Sequence, residues 1–170
     1  MPRKATSYKK HPAAPDYKHN SVKIGKFINY IMERGKKTVA TKLVYGAFDI
    51  IEKEMAKGAT PGAEKVEPKV VFEQAIRNVS PIVEVKGRRV GGANYQVPME
   101  VMEPRKTALG MKWIIDAARG KKGRPMAQKL AQELIEAYNK TGAAMKKRED
   151  VHKMADANKA FAHFARFQRR

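Results

Sequence analysis

The feature that most constrains this chain is a change of period near residue 82. On either side of it apolar residues recur at helical spacing. Between, Val83 and Val85 alternate with Glu84 and Lys86, and Tyr95, Val97, Met99 and Val101 alternate with Gln96, Pro98 and Glu100. Strict alternation sends successive side chains to opposite faces, so both runs read as strands. The connection Gly87-Arg88-Arg89-Val90-Gly91-Gly92-Ala93-Asn94 has glycines that supply the positive dihedrals of a tight reversal. A two-stranded antiparallel ribbon over residues 82 to 101 is expected. Pro98 has no N–H for a central ladder, which suits a ribbon with free edges. A lone hairpin is marginal in water, so its foot is expected to lean on helices while the tip projects about 20 Å.

The remainder reads as helices. Ser21 is an expected N-cap, and Ile24, Phe27, Ile28 and Ile31 form a stripe that Gly35 ends. Ala40, Leu43, Val44, Ala47, Phe48 and Ile51 form a second stripe. Residues 56 to 67 read as a surface loop. Pro68 then opens a third helix, where its missing donor costs little, with Phe72, Ala75, Ile76 and Val79 inward. After Pro104 a fourth helix offers Leu109, Trp113, Ile114 and Ala117 on one face. A fifth carries Ala127, Leu130, Ala131, Leu134, Ile135 and Tyr138 and closes at Thr141-Gly142. The sixth is expected to run unbroken from Met145 through Phe161 and Phe164 to the basic end. The expected fold class is mainly α: a single domain of about six helices with a protruding two-stranded antiparallel β-hairpin between the third and fourth.

Charge points to the partner. The 170 residues hold 36 Lys plus Arg against 17 Asp plus Glu, a formal net charge of +19. So much like charge repels itself in a compact state unless a polyanion neutralises it. Nucleic acid is the default polyanion, because each phosphate neutralised releases condensed counterions. An anionic membrane would call for a lipidation signal or a strongly apolar helix face, and Met1-Pro2-Arg3-Lys4 carries no myristoylation pattern. No apolar stretch is long enough to span a bilayer. Zero Cys excludes disulfides and fits a reducing compartment.

The basic residues fall into groups. Residues 1 to 20, with Arg3, Lys4, Lys9 and Lys10 among three prolines, lack an apolar period and read as an extended basic arm that orders on its partner, or as a solubilising tail. Lys23, Lys26, Arg34, Lys36 and Lys37 read as phosphate contacts, helped by the amides that start the second helix. Gly35-Lys36-Lys37-Thr38 lacks the spacing of a nucleotide-binding loop and follows a helix rather than a strand. Arg105-Lys106, the run from Arg119 to Arg124, and Lys146-Lys147-Arg148 are each either a solvated face or part of a converging one. In the ribbon, Lys86, Arg88 and Arg89 beside Gly91, Gly92, Asn94 and Tyr95 read as a grip for phosphates with a ring for stacking on an exposed base. Glu100 and Glu103 read as ion-pair partners of Arg105 or Lys106, and Trp113 as core. His152 and His163 stand eleven residues apart, and no metal-binding or nucleophile motif is present. No enzyme activity, cofactor or metal is expected.

Several runs carry a family resemblance. They are Phe27-Ile28-Asn29 followed by Gly35-Lys36-Lys37; Phe72-Glu73-Gln74-Ala75; Glu84-Val85 through Arg88-Arg89-Val90-Gly91-Gly92-Ala93-Asn94-Tyr95-Gln96-Val97-Pro98; Thr141-Gly142-Ala143-Ala144; and Lys146-Lys147-Arg148-Glu149-Asp150. Over nearly its whole length the chain resembles the bacterial-type small-subunit ribosomal protein S7 family. The resemblance implies a helical body with a protruding hairpin that binds the 3' major domain of small-subunit ribosomal RNA and nucleates assembly of the subunit head. It implies a hairpin near the exit-site transfer RNA and messenger RNA path, and proteins S9, S13 and S11 as neighbours. The expected divisions are the basic arm over 1-20, an RNA-binding domain over 21-164 and a short basic extension over 165-170, which departs from the family's usual ending. The expected location is the small subunit of the bacterial ribosome in the cytoplasm.

Overall fold

The computed structural model describes residues 13 to 58 and 66 to 168. The order is α1 (Val22–Ile31), α2 (Lys37–Gly58), α3 (Pro68–Val79), β1 (Val83–Val90), β2 (Ala93–Glu100), α4 (Arg105–Gly120), α5 (Met126–Tyr138) and α6 (Ala143–Ala157), followed by a 3-10 segment, Lys159–Gln168. This is the mainly helical body with one ribbon between α3 and α4 that the period predicts. Arg3, Lys4, Lys9 and Lys10, most of the expected loop after α2, and the side chains of 165-170 lie outside the described residues.

The stripes on α1, α2, α3 and α5 meet in one core. Phe27 and Phe48 pack edge-on against Phe72 at centroid distances of 5.0 and 5.7 Å. Ser21 has extended backbone at the start of α1, and its carbonyl accepts from Gly25, but its hydroxyl caps nothing. Arg34 and Gly35 both take left-handed backbone, which turns the chain from α1 into α2. Asp16 anchors the incoming chain: its carboxylate accepts from the Tyr45 hydroxyl at 2.8 Å and from the His19 amide at 3.1 Å. Burial, then the bond to Asp16, raises the Tyr45 pKa.

Two buried polar residues join helix ends. The Asn78 side-chain amide donates to the carbonyls of Ala137 and Tyr138, both at 3.0 Å, which satisfies the last turn of α5. Glu133 is 0% exposed; its carboxylate accepts from the Ala144 amide at the start of α6 and lies 2.8 Å from the Lys121 ammonium at the end of α4. Burial alone would lower the Lys121 pKa. Bonds to Glu133 and Glu136 outweigh that and hold it above the ordinary value.

Four expectations are corrected. The ribbon's pairing runs to Val90↔Ala93, so the reversal is only Gly91-Gly92, both at positive φ (56° and 90°). Arg88 and Arg89 are therefore strand residues on opposite faces, not tip-loop residues. In α4 the most buried line is Met111, Ile114, Ile115 and Ala118, with Leu109, Trp113 and Ala117 flanking it, because α3 and α5 approach from that side. The last helix is not continuous: it ends at Asn158, whose side chain donates to the Met154 carbonyl, and the 3-10 segment turns back onto the ribbon. The carboxylate that holds Arg105 is Glu84, not Glu100 or Glu103.

Candidate nucleic-acid interface

Helices α1 and α4 lie side by side and run the same way. Most of α1 and the first two turns of α4 share a groove of 810 Å³ lined by Lys23, Lys26, Tyr30, Arg105, Thr107 and Lys112, among others. Further along, the Lys112 ammonium sits 5.9 Å from the Tyr30 ring centroid. At the far ends Arg119 reaches the Ile31 carbonyl at 3.4 Å and Glu33 at 2.8 Å. Arg105, Lys112 and Arg119 are spaced by seven, close to two turns, so they form one line along α4. Lys23, Lys26 and Tyr30 form the matching line on α1. Arg34, Lys36 and Lys37 extend it beyond the turn, all exposed. The product is a predominantly basic strip with one aromatic ring in it, interrupted by Glu103 at one end and by Glu33 on Arg119 at the other. Such a surface can neutralise successive phosphates.

The expected contact residues separate by what already holds them. Lys23, Lys26, Lys36, Lys37, Lys146 and Lys147 are exposed and form no ion pair among the described residues. Lys146 and Lys147 are on α6 and do not line the groove. Arg148, next to them, points inward and donates to the Asn78 carbonyl at 2.5 Å. Arg105 forks onto Glu84 at 2.7 and 2.9 Å. Lys106 is half-buried.

At the ribbon, Glu84 is 11% exposed and takes Arg105 and Lys86 together. The Arg105 bond above all, then Lys86, pulls its pKa below 4.5 against the opposing effect of burial. Arg88 donates to the Phe164 carbonyl at 3.0 Å. Tyr95 is half-buried against Phe161 and Phe164. Arg89, Gly91, Gly92 and Asn94 are exposed. Four residues escaped the sequence reading: Lys112, Tyr30, Glu84 and Phe161. The seven-residue spacing from Arg105 to Lys112 was a signal for the first. Nothing local foretells the others.

The ribosomal protein S7p/S5e family model matches residues 2–159. The chain belongs to this family. The small ribosomal subunit protein uS7 of Thermotoga neapolitana is 56% identical over 150 residues, 88% of this chain and 91% of the relative. That of Fervidobacterium nodosum is 58% identical over 151 residues, 89% and 92%. That of Roseiflexus castenholzii is 50% identical over 167 residues, 98% and 100%. As an S7-family chain it is a structural, RNA-binding component of the translation machinery and not an enzyme. Among the described residues no helix is long and apolar enough to cross a membrane, and no group of three His, Asp or Glu could hold a metal.

Proposed function

We propose that the α1/α4 strip binds the 3' major domain of small-subunit ribosomal RNA and that the rigid core fixes the angle between the RNA helices it joins, nucleating the subunit head. The observation that carries this is the alignment of Lys23, Lys26, Arg105, Lys112 and Arg119 on two parallel helices, continued by Arg34, Lys36 and Lys37. Phosphates along an RNA backbone suit such a line better than any small anion does. In this reading Arg3, Lys4, Lys9 and Lys10 of the arm lie on the same RNA, Lys106, Lys146 and Lys147 meet it on other faces while Arg148 is turned inward onto the Asn78 carbonyl, and 165-170 extends the basic surface. The expected partners are exit-site transfer RNA, nearby messenger RNA and proteins S9, S13 and S11. The setting is the small subunit of the bacterial ribosome in the cytoplasm.

The hairpin serves the transfer RNA through Arg89, Asn94 and the Gly91-Gly92 turn, with Lys86, Arg88 and Tyr95 shaping the ribbon beneath them. Two experiments test the proposal. In sucrose gradients the chain should cosediment with small subunits and crosslink to one ribosomal-RNA domain; crosslinks scattered over unrelated RNAs would overturn it. In reconstituted subunits Arg89→Ala should weaken exit-site transfer-RNA retention with little effect on assembly. Impaired assembly with normal retention would assign Arg89 to the scaffold.

A further inference from the structure

The ribbon is held at two levels. At its foot α6 backs it: His152 Nε2 accepts from the Ile82 amide at 3.2 Å, and Val151 and Met154 share a cavity with Val85 and Gln96. The Glu84 fork to Arg105 is at this level too. Higher up, the contact passes to the 3-10 segment. Tyr95 lies 5.2 Å from Phe161 and 5.4 Å from Phe164 between ring centroids, and His163 sits 4.0 Å from Phe164. Arg88 is the register partner of Tyr95, and it is Arg88 that donates to the Phe164 carbonyl. One short segment thus grips both strands at the same rung.

We propose that Phe161 and Phe164 are positioning residues, a clasp that sets the conformation of the distal ribbon independently of the helical core. Two strands alone are marginal, and among the described residues the 3-10 segment with these rings is what layers onto the ribbon beyond its foot. The three rings are half-buried and stand apart from the main core cluster. Their loss should therefore open the ribbon without melting the helices. Arg88 donates to a backbone carbonyl of the segment, so that hold depends on the segment's path. The turn at Asn158 sets that path, by ending α6 and sending the chain across the strands.

Hydrogen exchange on the full-length free chain, where no RNA reading enters, tests this. In a Phe161→Ala/Phe164→Ala variant the amides from Arg88 to Tyr95 should exchange roughly tenfold faster, the scale set by aromatic pairs lost in a local opening. Val83 to Val85 and the core amides of α2 should keep wild-type protection, which also reports that the variant is folded. Tyr95→Ala should give the same acceleration, and the triple variant little more, because each removes the same contact. Unchanged exchange at the distal ribbon would overturn the clasp. So would a uniform rise through α2, or effects of Tyr95→Ala and the double variant that simply add.

Discussion

Four arginines and six lysines of this chain occupy two different regimes. Arg88, Arg105, Arg119 and Arg148 each reach an acceptor within the fold: the Phe164 carbonyl, Glu84, Glu33 with the Ile31 carbonyl, and the Asn78 carbonyl. Lys23, Lys26, Lys36, Lys37, Lys146 and Lys147 stay exposed without an ion pair among the described residues. The planar, multi-donor guanidinium suits fixed internal geometry, whereas an ammonium on a flexible stem meets a phosphate as a point charge from many angles. The net charge of +19 is therefore not one surface. Part of it braces the joints between elements, and the rest, mostly lysine, stays exposed and on the proposed reading faces RNA.

Lys121 is the exception that most sharpens the contrast, because it is a lysine used internally, 23% exposed against the fully buried Glu133. Lys121→Ala leaves that carboxylate without its cation and should cost about 3 kcal/mol in denaturant unfolding. Since its folded pKa is raised, its contribution is complete below the ordinary lysine value of 10.5 and fades as pH climbs through the folded value. A loss under about 0.5 kcal/mol would show the pair to be a surface one. Arg148→Ala should cost about 1.5 kcal/mol, since it removes a charged donor from a partly buried carbonyl. Equal stability with weaker RNA binding would move Arg148 to the lysine class.

Glu84→Gln should cost about 1 kcal/mol, modest because both of its cations are half exposed. The lowered pKa of Glu84 means that its contribution is complete above pH 4.5 and is lost as pH falls through the folded value. Acidification should accordingly loosen the ribbon foot of the wild-type chain, and the Gln variant should lack that response when exchange at Val83 to Val85 is followed against pH. The smallest effect on folding belongs to Lys146→Ala and Lys147→Ala, within about 0.5 kcal/mol. Their effect on RNA binding should be measurable and indifferent to RNA sequence. A melting shift comparable to that of Arg148→Ala would erase the distinction.

Helix stripes and the ribbon were legible because burial imposes periods of 3.6 and 2 directly on the sequence. Pro68 marked the start of α3 through a backbone constraint, whereas the glycines showed that the ribbon reverses but not that the reversal is confined to Gly91-Gly92. The turn at Asn158 was not legible: the aromatic spacing of Phe161 and Phe164 continues a helical pattern, and only the ribbon facing them makes the bend favourable. Tyr95 read as an open stacking ring for the same reason, since the rings that cover it arrive from 66 residues away and more. In the interface, basic clusters were visible but not their division. Arg148 and Lys147 are neighbours with opposite orientations, and the choice between them is made by Asn78, 70 residues distant.

On the proposed reading, lysines of the α1/α4 strip carry the phosphate contacts. Its most direct test is the salt dependence of binding to the isolated 3' major domain, comparing the wild-type chain with Lys23→Ala/Lys26→Ala/Lys112→Ala. With about 0.7 to 0.9 log units of affinity per log unit of salt for each phosphate contact, the triple variant should lose about 2 to 3 units of slope. A variant whose slope matches that of the wild-type chain would contradict the account.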